Sequence, residues 1–124
     1  MRDEAERCRR LREGLWQSLS TRTDGLLRIS PDDGLPNTLT VAVDRLGSDV
    51  IVAGLDLAGF AVSTGSACAA GAPEPSHVMK ALGIDARYAA GVVRISMGHA
   101  TTEAAVAGLA DAFVEVVGRA RKAA

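Results

Sequence analysis

"TLTVAV", residues 38–43, decides the fold. Its β-branched side chains follow the turn formers Pro36 and Asn37, so the stretch predicts a strand. "VVRISM", residues 92–97, sets Val93, Ile95 and Met97 against Val92, Arg94 and Ser96, the two-residue period of a strand in a sheet. Two shorter runs, "LLRIS" at 26–30 and "FAVST" at 60–64, read as further strands.

Helical periodicity surrounds these strands. Ala5, Cys8, Leu11, Leu15 and Leu19 recur at spacings of three and four, predicting a helix over 2–19 with its Arg, Asp and Glu turned outward. Ser48 suits a helix start and Gly59 the left-handed position past a helix end, bounding a short helix over about 48–58. Pro75 and Ser76 open another helix that carries Val78, Met79 and Leu82 and stops at Gly83, and "IDARYAAG" is then a connecting segment with room for one turn. The last helix, capped by Thr101 or Thr102, has Val106, Leu109, Ala110, Phe113, Val117 and Ala120 on one face. Asp111, Glu115 and Arg119 lie on another, with Glu115 and Arg119 spaced to pair. This order of elements predicts an α+β fold, a small sheet covered by helices on one face.

The chain's 124 residues suffice for one domain with a real core. A net charge of -1 provides no general field for nucleic acid or an anionic membrane, so neither partner is expected. No apolar run approaches the ~18–20 residues that cross a bilayer, and "MRDEAERCRRLREG" has charge where a signal peptide needs apolar residues. A cytoplasmic location is expected. Cys8 and Cys68 form neither a disulfide framework nor a CxxC pair. Cys8 lies on the inward stripe of the first helix and reads as a small buried hydrophobe.

Cys68 has different surroundings. In "STGSACAAGAPEPSH", residues 63–77, Gly65, Ser66, Ala67, Ala69, Ala70, Gly71 and Ala72 leave the thiol uncovered. With an ordinary pKa near 8.5, roughly 3% of such a thiol is thiolate at neutral pH, the form that attacks. From these residues alone the stretch reads equally as an accessible nucleophile or as a linker with an incidental cysteine. Arg94, inside an apolar strand, belongs either on the exposed face beside Ser96 or against an anion, because an unpaired buried guanidinium is costly.

"LPNTLTVAV", "GLDLAGFAVSTGSACAAGAPEPSHVMKALGI" and "VVRISMGHATTEAAV" resemble, in order and spacing, the carboxy-terminal small domain of NifS-like cysteine desulfurases. The family pattern S-[ST]-G-S-A-C falls on Ser63, Thr64, Gly65, Ser66, Ala67 and Cys68, and E-P-S-[HY]-V on Glu74, Pro75, Ser76, His77 and Val78. The resemblance implies a mainly antiparallel sheet of three to four strands, as in the carboxy-terminal domain of transferases that use pyridoxal phosphate. It implies that Cys68 takes sulfur from cofactor-bound L-cysteine as a persulfide and hands it to an acceptor. It also implies that Arg94 receives the substrate's α-carboxylate, a task suited to its planar fork.

His99 stands where the family usually has arginine, which puts any contact of that arginine in doubt here; His77 reads as a surface or capping residue. Thr64 and Ser66 read as loop-shaping residues, and the spacing of Cys8, Cys68, His77 and His99 suits no zinc site. The cofactor-binding large domain of the family is not represented in this sequence, and neither Lys80 nor Lys122 stands in the family's Ser-x-His-Lys context. Pyridoxal phosphate is therefore expected only through a partner domain or separate chain, with none bound by this chain alone. A sulfur-acceptor protein is the other implied partner, and a homodimer is a candidate assembly. A stand-alone persulfide carrier and a non-catalytic interaction module are the alternatives.

Overall fold

The computed structural model describes residues 2–29, 37–57, 59–60, 62–64 and 86–123. At its centre β2 (Thr38–Val43) pairs antiparallel with β4 (Val92–Ser96), Thr40 opposite Arg94 and Val41 opposite Val93. β1 (Leu26–Arg28) flanks β2 and β3 (Ser63–Thr64) flanks β4, giving a four-stranded antiparallel sheet in the order β1-β2-β4-β3. The expected α+β fold is thus the one observed.

The period-two pattern sorts the two faces. Leu39, Val41 and Val43 of β2 join Val93, Ile95 and Met97 in one core cluster. Against them pack Leu11, Leu15 and Leu19 of α1 (Arg2–Arg22), Ile51 and Leu55 of α2 (Ser48–Leu57), and Val106, Leu109, Phe113 and Val117 of α3 (Glu103–Ala123). Each fully buried aliphatic or aromatic side chain contributes about 1.5–3 kcal/mol, so this face of the sheet anchors the domain. On the opposite face Ala42 and Val92 gather Leu27, Ile29 and Tyr88, while Arg94 and Ser96 are exposed. Tyr88 comes from a 3-10 helix (Ala86–Gly91) within the segment that the sequence reads as a connection with a turn in it.

Helix ends follow local chemistry. The Gly59 amide donates to the Asp56 carbonyl and the Phe60 amide to that of Leu55, with Gly59 at φ +94°, a Schellman cap on α2. This cap explains the shortened third strand: Phe60, expected in a strand, is used to end α2, and β3 covers only Ser63–Thr64. Of the two candidate caps for α3, the Thr102 hydroxyl accepts from the Ala105 amide at 3.0 Å, while that of Thr101 accepts from the Gly98 amide at 2.8 Å. α1 runs to Arg22, three residues beyond the expected end, and the Thr23 amide adds a further bond to Leu19. The helix read at 76–82 lies outside the described residues.

Candidate functional site

Arg94 occupies the middle of β4, with Thr40 opposite it on β2 and Ser63 opposite it on β3. Two residues along, Ser96 stands opposite Thr38. The guanidinium therefore rises from a hydroxyl-bearing strip on the face away from the three helices. Among the described residues no carboxylate pairs with Arg94. Arg94 is exposed, on the same face as Ser96.

Cys68 lies outside the described residues, as do Ser66, His77 and Lys80. It follows Thr64 by four positions in sequence, and Thr64 pairs with Val93 at the sheet edge. Cys8 is buried, 4% exposed, with its sulfur 3.8 Å from Glu4 Oε1, in line with a packing role. His99 is exposed, and its backbone carbonyl accepts a hydrogen bond from Arg7.

That bond belongs to a group not anticipated from sequence. Arg7 of α1 donates to the carbonyls of Gly98 at 2.9 Å, His99 at 2.9 Å and Thr101 at 2.5 Å, closing the turn between β4 and α3. Glu4 holds the same guanidinium at 2.8 Å, which lowers the Glu4 carboxyl below its usual pKa and raises Arg7 above its own. A second cluster joins Glu13 to Arg28 of β1 and to the buried Arg12, 2.9 Å away. Hydrogen bonding by Arg28, and next by Arg12, pulls the Glu13 carboxyl from 4.5 to about 2 against the opposing effect of burial. One signal for this cluster was available: Arg12 stands four residues after Cys8, on the inward stripe of α1.

The family model of class-V aminotransferases matches residues 1–109. The chain belongs to the class-V aminotransferase family. A cysteine desulfurase of Rhodobacter capsulatus is 43% identical over 91 residues, which cover 73% of this chain and 24% of that protein. An IscS-like cysteine desulfurase of Mycobacterium tuberculosis is 35% identical over 126 aligned positions, covering 100% of this chain and 32% of the relative. The chain thus spans a third or less of these curated relatives. Among solved structures, a NifS-like protein superposes with a TM-score of 0.76 at 29% identity, over 94% of this chain and 29% of that one.

Class-V aminotransferases use pyridoxal phosphate, and the described residues do not form an anchor for it. Lys122, the one lysine among them, sits in the last turn of α3, and α3 packs on the face of the sheet opposite Arg94. Among the described residues no group of three or more His, Cys, Asp or Glu is arranged to hold a metal. No described helix is long and apolar enough to cross a membrane.

Proposed function

We propose that residues 1–124 act as one domain, the cysteine-bearing small domain of a cysteine desulfurase, completed by a domain or separate chain that holds pyridoxal phosphate. The observation that carries this reading is the register of Arg94 with Ser63. Cys68 follows Thr64 by four positions in sequence, at most about 14 Å of extended chain, and this spacing supports a thiol that works together with the carboxylate-binding fork. The similarity to desulfurases over nearly the whole chain supports the same reading.

In this reading Arg94 takes the carboxylate of L-cysteine with two parallel N–H···O bonds and fixes its orientation. The Cys68 thiolate bonds to the substrate sulfur, the carbon–sulfur bond breaks with its electron pair passing to carbon, and that carbon takes up a proton as alanine leaves. Pyridoxal phosphate, when bound by the partner domain, stabilises that electron pair. Cys68 is left as a persulfide, whose outer sulfur an acceptor protein's thiolate then removes. The small residues of 65–72 suit a sulfur that must visit a cofactor site and an external acceptor.

The test mixes the chain with the cofactor-binding domain of a desulfurase and L-cysteine. Alanine is formed, and the peptide bearing Cys68 gains about 32 Da in its persulfide form. Cys68→Ala abolishes both signals. No alanine and no mass gain with the unmodified chain would refute the proposal.

A further inference from the structure

We infer that Ser63 is a second substrate-binding residue, its hydroxyl completing with Arg94 a two-point site for a small carboxylate; this rests on the role of Arg94 proposed above. The inference comes from the cross-strand register. β3 places Ser63 directly opposite Arg94, and both residues are exposed on the face away from the core packed by α1, α2 and α3. Directly opposed residues of an antiparallel pair have Cβ atoms roughly 5 Å apart, and the long arginine stem extends its guanidinium past its neighbour.

A carboxylate bridges such a gap. Its oxygens lie about 2.2 Å apart and each accepts at about 2.8 Å, so guanidinium and hydroxyl donors separated by about 5–7 Å can be joined by one carboxylate. The guanidinium fork supplies no more than two of the roughly four donors that a carboxylate accepts, and it leaves the ligand able to pivot. A hydroxyl on the flanking strand fills a further lone pair and fixes the carboxylate plane. Ser63 fits this task because it is exposed, carries a single rotatable O–H and sits on the strand that leads toward Cys68. Thr40, on the other flank, is half-buried and already engaged in another interaction. Ser96 is displaced by two residues along β4.

The test uses the full chain, labelled with nitrogen-15, and follows the Arg94 Nε–Hε resonance while sodium acetate or L-alanine is added, with sodium chloride at equal ionic strength as control. Ser63→Thr and Ser63→Val form the decisive pair, since they share a β-compatible shape and differ in the hydroxyl. The unmodified chain and Ser63→Thr show a saturable shift beyond the chloride control, and Ser63→Val weakens it about tenfold or more, the effect of one hydrogen bond to a charged ligand. Arg94→Lys removes the shift. If Ser63→Val binds within twofold of Ser63→Thr while Arg94→Lys still loses binding, Ser63 has no such role and the reading of Arg94 stands. If the Arg94 resonance of the unmodified chain responds to acetate no more than to chloride, both fall together.

Discussion

Gly91→Ala tests the packing that holds β4, and with it Arg94, in register. Gly91 ends the 3-10 helix and abuts Val92, the residue opposite Ala42 of β2. A Cβ on Gly91 would lie 2.2 Å from the Val43 carbonyl oxygen and 2.7 Å from that of Leu46, where ordinary contact begins at 3.4 Å. Both obstacles are backbone atoms, one in the last residue of β2 and one in the turn after it, so neither can rotate away, and the chains must separate by about 1 Å. Overpacking of this kind costs typically 1–3 kcal/mol, and rigid obstacles place the loss at about 3 kcal/mol. For a domain of this size that is a large part of total stability and lowers the melting temperature by about 10 °C.

The contrast is Gly118→Ala. Gly118 lies within α3, and nothing comes within 4 Å of the place its methyl group would take, so the same substitution removes the helix penalty of glycine and stabilises by about 0.5–1 kcal/mol. Urea unfolding followed by circular dichroism measures both variants, with an unchanged denaturant slope confirming that the same surface is exposed. A loss below about 1 kcal/mol for Gly91→Ala, or equal effects at the two glycines, would refute the close approach of the 3-10 helix to the β2 turn.

Two further outcomes follow from the charged clusters. Glu13 has its folded pKa depressed from 4.5 to about 2, so its pairing stabilises the fold above the unfolded value and is lost as pH falls from 4.5 toward 2. Because the carboxylate is 42% exposed, solvent screening discounts this to about 1 kcal/mol; Glu13→Gln flattens that part of the stability–pH profile, and an unchanged profile contradicts the pairing. Arg7→Ala removes donors to three carbonyls of the turn between β4 and α3 and loosens that turn, although water reaches the vacated carbonyls and limits the loss. Faster amide exchange at Gly98 through Thr102 marks the loosened turn, and exchange rates equal to those of the unmodified chain would argue against the clamp.

The candidate site was legible to different depths. Arg94 stands out because a guanidinium interrupts an apolar strand, and alternation placed it with Val92 and Ser96, opposite the core residues Val93 and Ile95. Its neighbours were not legible: nothing local to "VVRISM" names Thr40 or Ser63, which lie 54 and 31 positions away in sequence and meet Arg94 only through strand pairing. Phe60 shows the limit of propensity, since its strand-like run gives way to the cap of α2, whose backbone bonds claim that residue first. Arg7 reads in sequence as one more charge on the outer face of α1, and only the folded chain brings the turn after β4 within its reach.

By itself, the amino-acid order determined the two central strands, the first and last helices, the inward stripes that became the core, and the motif around Cys68 that resembles desulfurases. These are properties of short windows, where periods of two and 3.6 residues and capping chemistry act within a few positions. The tertiary structure alone decided which strands are neighbours, that Ser63 and Thr40 flank Arg94, and that Gly91 is wedged against backbone while Gly118 has open space. Those outcomes depend on strand register and close approach, and both arise only when segments distant in the chain bury a shared face.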